Sequence, residues 1–136
     1  MIAAPSKLFI ALAVLAAAAL TAFVMTRRAP ACGGQGQIMS SVGECKSWGV
    51  DAEVCKAAVG KVRAIAQKAT PSFDNSVKCE TRFTDCFKAS DDAYHPLPAF
   101  CLKTPATAAS EPFDLHYLEY ESDRMSRKKT HEVPIK

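Results

Sequence analysis

Six cysteines in 136 residues constrain this chain more than any other feature, and five of them fall between Cys45 and Cys101. Such dense cysteine usage in a short chain is typical of proteins that fold in an oxidising compartment. Once the N-terminal hydrophobic segment is set aside, about 105 residues remain, which is room for one small domain. The sequence therefore predicts a single disulfide-stapled domain outside the cytoplasm.

Residues 1–31 form a predicted signal or anchor segment. From Leu8 to Met25 there is no charged residue over 18 positions, and Lys7 and Arg27–Arg28 bound this run. That length is just sufficient to span a bilayer as a transmembrane helix. Three interpretations stay open: an uncleaved anchor, a signal peptide cleaved near Ala29-Pro30-Ala31, and a lipoprotein acylated at Cys32. The membrane is the expected partner of this segment.

The positive charge of the chain lies at its start. Three of the 17 basic residues precede Cys32 and no acidic residue does, so 14 basic residues face 14 acidic ones from Cys32 onward. A neutral domain lacks the basic surface of a nucleic-acid-binding protein, so no nucleic-acid partner is expected. The basic run at 124–129 follows three acidic residues and is predicted to belong to a disordered charged tail, residues 121–136.

Residues 32–38 are predicted to be a flexible spacer, because Gly33-Gly34-Gln35-Gly36-Gln37 is rich in glycine and polar. The stapled domain is then expected over residues 39–120. Ser41 and Glu44 have the spacing of a capping box, which places Cys45 in a short helical turn.

The longest helix is predicted from Asp51, a favourable N-cap, to about Ala69, shortly before Pro71. Apolar residues recur along it at helical spacing and predict its buried face. These residues are Val54, Ala58, Val62, Ile65 and Ala69. A second, short helix is expected from Ser76 to about Thr84.

Two extended runs follow the helices. Tyr94–Leu102 combines prolines with apolar residues, and Phe113, Leu115 and Tyr117 alternate with period two. The polar connection between the runs allows a small antiparallel strand pair against the helices. The predicted fold class is therefore α+β: two or three helices and a short strand pair, preceded by one N-terminal hydrophobic helix. Trp48 and the aromatic residues of both runs are assigned to the core.

Structural disulfides are the expected role of the cysteines. The gaps between them are wide and the three histidines lie far apart, so no zinc site is predicted, and no Cys-x-x-Cys motif supports redox chemistry. If Cys79 and Cys86 share one helix, they lie roughly 10 Å apart along its axis, which is too far for a disulfide. We therefore expect bridges from Cys45 and Cys55 to that pair, with Cys55–Cys86 preferred.

Cys32 and Cys101 have two open alternatives. They either form a third disulfide, or Cys32 carries a lipid while Cys101 is a buried or intermolecular thiol.

Several of these motifs together resemble the YgiB-like family, a bacterial domain of unknown function. The similar stretches are Glu44-Cys45, Glu53-Val54-Cys55-Lys56-Ala57-Ala58, Thr70-Pro71-Ser72-Phe73 and Lys78-Cys79-Glu80 through Phe83 to Cys86. They lie within roughly Met39–Cys101, and Tyr94-His95-Pro96 to Phe100 is also similar. The resemblance implies an envelope location, often as a lipoprotein, and it supplies no catalytic residues.

The expected function is a non-enzymatic binding or structural module in the bacterial cell envelope, a periplasmic domain anchored to the membrane, with an envelope protein as partner. No cofactor and no metal are expected. His95, His116 and His131 are interpreted as ordinary polar side chains. One alternative is an enzyme acting on envelope polymers, for which Glu80, Asp85, Asp91 and Asp92 are the candidate carboxylates. The other is a small secreted disulfide-rich antagonist.

Overall fold

In the central part of the chain, helices form where the capping residues and proline of the sequence predict them. The structure, a computed structural model, describes residues 6–27, 30–121 and 129–136. Its α-helices are α1 (Lys7–Arg27), α2 (Val42–Ser47), α3 (Ala52–Ala69) and α4 (Ser76–Glu80). Its strands are β1 (Gln37–Met39), β2 (Cys86–Lys88), β3 (Tyr94–Pro96), β4 (Ala99–Leu102), β5 (Phe113–Tyr120) and β6 (Thr130–Pro134), and a 3-10 turn covers Ala31–Gly34.

Side-chain caps begin α2 and α3 where the sequence predicts them. The Ser41 hydroxyl accepts a hydrogen bond from the Glu44 backbone N–H, and the Asp51 carboxylate accepts one from the Glu53 N–H. Both bonds satisfy donors that the first helical turn leaves without partners. Helix α3 ends at Ala69 because Thr70 precedes a proline and is held in an extended conformation.

The buried face of α3 differs from the predicted stripe. Its buried residues are Cys55, Ala58, Val59, Val62 and Ala66, whereas Ile65 is 39% exposed. The Cys45–Cys55 disulfide turns Cys55 towards α2, and this bond sets the rotation of α3 about its axis. Val54 is half-buried and packs against the core. The predicted stripe is wrong at Ile65 and Ala69, which are exposed, because periodicity alone does not show which apolar residues a covalent bond directs inward.

The main sheet is antiparallel with the strand order β1-β4-β5-β6, and β2 pairs with β3 in a second, two-stranded sheet. One face of the main sheet covers the core: Met39, Phe100 and Leu102 are buried there and pack with Val59 and Val62 of α3. The predicted pairing of the two extended runs is confirmed as β4 against β5. The α+β class is confirmed. Among the described residues the domain has three α-helices after α1, within the predicted two or three, and two sheets in place of one strand pair.

The predicted second helix is shorter than expected. Asn75, not Ser76, caps α4, and the helix ends at Glu80. Phe83 lies beyond it in a fully buried position, where it meets the rings of Phe73 and Tyr117 edge to face at 5.8 and 5.3 Å between centroids. This aromatic packing draws the chain out of the helix and towards β5.

The predicted flexible spacer is wrong, because residues 32–38 are attached to the sheet. Cys32 is bonded to Cys101, and β1 pairs with β4 from Gln37↔Leu102 to Met39↔Phe100. A Cβ atom at Gly36 would lie 2.4 Å from the Leu102 carbonyl oxygen. The glycine therefore permits a close approach of two backbones, which is a role unrelated to flexibility.

The predicted disordered tail is also corrected in part. Residues 130–134 form β6, which pairs with β5 from Tyr120↔Thr130 to His116↔Pro134. The basic residues Arg124, Arg127 and Lys128 lie outside the described residues. Strand β6 was missed because most of its side chains are exposed and its partner strand supplies the stabilising backbone bonds.

A helix forms where the N-terminal hydrophobic segment is predicted. In α1, alanine fills seven of the 21 positions, and the side chains of Leu8, Phe9 and Leu20 are 71%, 72% and 69% exposed. In the part of the chain that the structure describes, no helix combines the length and apolar character needed to cross a membrane. The transmembrane character of this helix is therefore not confirmed. Ala29, the first residue of the predicted cleavage site Ala29-Pro30-Ala31, and the preceding Arg28 lie outside the described residues.

Candidate binding pocket on the open face of the sheet

All six cysteines form disulfides: Cys32–Cys101, Cys45–Cys55 and Cys79–Cys86, with Cα atoms 5.7, 5.7 and 6.3 Å apart. The predicted disulfide framework is confirmed. Cys32 is bonded to Cys101, and a sulfur atom in a disulfide cannot also carry a lipid. Of the two alternatives for Cys32 and Cys101, the structure therefore shows the disulfide.

The predicted pairing of the other four cysteines is wrong. Cys79 lies in α4 and Cys86 in β2, so the two do not share a helix and the argument from helical rise does not apply. The turn after Glu80 reverses the chain and brings their sulfurs together. Cys45 and Cys55 likewise pair locally, because the chain turns between α2 and α3 at Gly49, where φ is +82°.

The face of the main sheet opposite the core is termed the open face, and it carries Ile38, His116, Leu118 and Glu132. Ile38 and Leu118 are each 37% exposed there. A cavity of about 480 Å³ lies on this face, beside the Cys32–Cys101 disulfide. Its walls come from the 3-10 turn and from four strands: Pro30, Cys32, Ile38, Cys101, Asp114, His116, Glu132 and Pro134.

His116 is the best oriented polar group in this cavity. Its Nδ1 lies 2.8 Å from the carbonyl oxygen of Asp114, which can only accept, so Nδ1–H is the donor. In the neutral ring, Nε2 then carries the lone pair, and it lies 3.9 Å from Oε1 of Glu132. The His116 side chain is 12% exposed, so its Nε2 is held in place by its surroundings. The Glu132 side chain is 68% exposed, so its carboxylate reaches solvent.

Asp114 provides its carbonyl from a strained backbone. Its φ is +49°, where residues other than glycine are uncommon, and the pairing of β4 with β5 is irregular between Ala99 and Cys101. Cys32 on the opposite wall also has a positive φ, of +61°. Positions of this kind are often found at binding sites, and here two of them line one cavity.

The cavity favours a ligand that donates hydrogen bonds and carries positive charge. Its ionisable lining residues are Asp114, His116 and Glu132, and none of the described lining residues is lysine or arginine. An ammonium nitrogen can lie about 2.9 Å from both His116 Nε2 and a Glu132 oxygen, because these two acceptors are close together. Within the described residues, no group of three or more His, Cys, Asp or Glu has the arrangement of a metal site.

The four candidate carboxylates of the enzyme alternative lie on the surface. Asp91 and Asp92 are in the turn between β2 and β3, where Asp91 bonds to His95 and Asp92 lies 3.8 Å from Lys88 Nζ. Glu80 and Asp85 are exposed, and neither has an ion-pair partner among the residues that the structure describes. All four carboxylates therefore lie outside the lining of the open-face cavity.

His95 is a buried structural residue, 1% exposed. Thr70 Oγ1 lies 2.6 Å from the Ala66 carbonyl oxygen and 3.2 Å from His95 Nδ1, while His95 Nε2 lies 3.0 Å from Asp91 Oδ2. The Asp91 carboxylate can only accept, so Nε2–H of His95 donates to it. This bond, followed by that from the Ala93 N–H, lowers the pKa of the Asp91 carboxyl.

The sequence interpretation missed most of the pocket. Glu132 and Pro134 were assigned to the disordered tail, and Asp114 gave no signal because its positive φ is visible only in the structure. In the structure His116 and Leu118 lie on one face of β5, opposite Leu115 and Tyr117. Trp48, assigned to the core, is 50% exposed at the end of α2, whereas Phe100 is buried as expected.

Comparison of the chain with family models, curated proteins and solved structures found no match to any of them. The geometry of the pocket therefore carries the functional argument.

Proposed function

We propose that this protein is an extracytoplasmic binding module, held at a membrane through its N-terminal segment, that binds an amine-bearing partner in the open-face cavity. The observation that carries the proposal is the pairing of His116 Nε2 with Glu132 Oε1 in a cavity whose ionisable lining is acidic apart from the histidine. The partner is an envelope protein that presents a lysine side chain. The resemblance to the YgiB-like family stays a prediction and is consistent with this location.

The position of the cavity supports the proposed attachment to a membrane through the N-terminal segment. Pro30 and Ala31 line it, so the ligand would bind where the N-terminal segment joins the domain. The Cys32–Cys101 disulfide attaches that junction to the centre of the sheet. A partner bound there would lie close to the surface that holds the N-terminal segment.

The disulfides support the proposed location outside the cytoplasm. Six paired cysteines in one small chain would be reduced in most cytoplasms, whereas an oxidising compartment retains them. The cavity lining combines one histidine with two carboxylates, and we propose that these groups bind a ligand in a non-enzymatic role.

Binding is tested with the full-length, oxidised protein in a mild detergent. The probes are N-acetyl-lysine methylamide and N-acetyl-norleucine methylamide, which differ in the ammonium group. We expect saturable shifts of the His116 and Glu132 resonances in NMR spectra with the lysine probe alone. Loss of a charge-assisted bond in Glu132→Gln should weaken binding by about tenfold. Equal binding of both probes, or an unchanged affinity in Glu132→Gln, would contradict the proposal, and Glu80→Gln is the matched control.

Location is tested by the intact mass of the protein purified from native membranes, with free thiols alkylated before any reduction. A full-length mass without alkylation is the expected result. A mass that begins near Ala31 would show a cleaved segment and remove the tether. Full alkylation would overturn the assignment to an oxidising compartment.

A further inference from the structure

A second cavity, of about 220 Å³, lies between α3 and β2 and shares no residue with the open-face cavity. Arg63 of α3 crosses over the Phe87 ring of β2, with its Cζ 5.5 Å from the ring centroid. The Nε atom of Arg63 is buried and has no hydrogen-bond partner within the described part of the chain. No described carboxylate lies within ion-pair distance of this guanidinium group. A buried donor without a partner is unfavourable and calls for an explanation.

Arg82 shows the same arrangement in a complete form. Its Cζ lies 5.1 Å from the Phe83 ring centroid, and its Nε donates to Oε2 of Glu119 at 3.0 Å. The aromatic ring holds one face of the guanidinium plane, and the carboxylate bonds to its edge. Arg63 has the ring and lacks the carboxylate.

Gly60 keeps the cavity open. It lies within α3, where glycine is less favourable than alanine by about 1 kcal/mol. Neither sterics nor backbone conformation requires it, since an added Cβ would meet no atom within 4 Å and its φ is not positive. The residue lines the cavity, and a longer side chain at this position would fill the space in front of Arg63.

The remaining polar groups of the cavity are compatible with an anion. Lys88 adds a second positive charge to the lining, although its Nζ also lies 3.8 Å from the Asp92 carboxylate, and no lining residue is acidic. Ser90 Oγ donates to Oε1 of Gln67 at 2.8 Å, which fixes the Gln67 amide and leaves its NH₂ group as a further donor.

We propose that the cavity between α3 and β2 is a carboxylate-binding site, in which the two terminal N–H groups of the Arg63 guanidinium bind the ligand. Guanidinium and carboxylate groups match in a bidentate geometry. The Arg82–Glu119 pair shows a single bond of this type, from Nε to Oε2, in the same fold. The cavity, of about 220 Å³, accommodates a small carboxylate such as acetate.

The test is an NMR titration of the full-length, oxidised protein with sodium acetate, against sodium chloride at the same ionic strength. We expect saturable shifts of the Arg63 Nε–H signal and of the backbone amides of Lys88 and Ser90 with acetate alone. Arg63→Lys keeps the positive charge but loses the paired N–H donors of the guanidinium group. We therefore expect at least tenfold weaker acetate binding, measured from the backbone amide shifts of Lys88 and Ser90. Gly60→Leu should abolish binding by filling the cavity.

Arg82→Lys is the matched control, because it alters the other arginine that lies over an aromatic ring, and it should leave acetate binding unchanged. Identical responses to acetate and chloride would overturn the proposal, as would undiminished binding in Arg63→Lys. Saturation by inorganic phosphate without saturation by acetate would overturn the assignment to a carboxylate.

Discussion

At the scale of single residues, two glycines differ in what surrounds them. The backbone of β4 leaves no room for a side chain at Gly36, because an added Cβ would lie 2.4 Å from the Leu102 oxygen. Gly60 has open space in the middle of a helix. The same residue type thus holds two strands close together in one place and keeps a cavity open in the other.

Replacement of each glycine by alanine should change stability in opposite directions. Gly36→Ala forces two backbones apart and should lower the free energy of unfolding by about 1–3 kcal/mol. Gly60→Ala should raise it by up to about 1 kcal/mol, since alanine favours the helix. Urea denaturation of both variants measures the difference. Equal effects would contradict the close approach at Gly36.

His95 and Asp91 predict a dependence of stability on pH. The pKa of Asp91 is lowered in the folded protein, so its contribution is present above the ordinary aspartate pKa of about 3.9 and is lost as the pH falls through the lowered value. Asp91→Asn should therefore destabilise the protein at pH 7 and should have less effect as the pH approaches 2. Urea denaturation across this range measures it, with Asp85→Asn as the control. A constant difference at all pH values would contradict the assignment.

At the scale of elements, short-range bonds determine where helices begin, and a covalent bond determines how the longest one is turned. Asp51 begins α3 through its bond to the Glu53 N–H, and Thr70 and Pro71 end it. The rotation of α3 about its axis follows from Cys55, which places Val59 and Ala66 inside and Ile65 outside.

Loss of the α3 cap should be measurable on its own. Asp51→Ala should lower the free energy of unfolding by about 1 kcal/mol, because the first turn then lacks a side-chain acceptor. Asp51→Ser keeps an acceptor and should restore most of that loss. Thermal and urea denaturation of the two variants provide the comparison, and equal stabilities would show that the cap contributes nothing.

At the scale of the whole molecule, the three disulfides enclose loops of very different length. Cys32–Cys101 joins residues 69 positions apart, whereas Cys45–Cys55 and Cys79–Cys86 join residues 10 and 7 positions apart. A cross-link stabilises mainly by restricting the unfolded chain, and the restriction grows with the length of the loop. The longest bridge also attaches the N-terminal side of the domain to β4.

Removal of each bridge by paired Cys→Ser substitutions should therefore give a ranked series. The loop lengths predict losses of about 4.4 kcal/mol for Cys32–Cys101, about 2.7 kcal/mol for Cys45–Cys55 and about 2.4 kcal/mol for Cys79–Cys86, so the first loss should clearly exceed the other two. Chemical denaturation of the three double variants measures the order, and non-reducing peptide mapping checks the pairing. An inverted order would show that the bridges act through the native state.

The sequence by itself determined those features whose signals act over a few residues. Ser41, Asp51 and Pro71 mark the limits of α2 and α3, because a cap or a proline acts on the neighbouring turn. The cysteine content determined that disulfides staple the domain, and the period-two spacing of Leu115 and Tyr117 determined that these two side chains share a face of β5.

Only the tertiary structure decided which cysteines pair, that residues 37–39 and 130–134 are strands, and that His116 meets Glu132. Strand pairing depends on backbone hydrogen bonds between segments that are distant in the sequence. The side chains of a three-residue strand or of an exposed strand do not indicate which segment it pairs with. Disulfide pairing depends on where the chain turns. The turn after Glu80 brings Cys79 and Cys86 together, and the spacing of the cysteines along the sequence does not show this turn. The binding cavities are assembled from several elements each, so they exist only once the chain has folded.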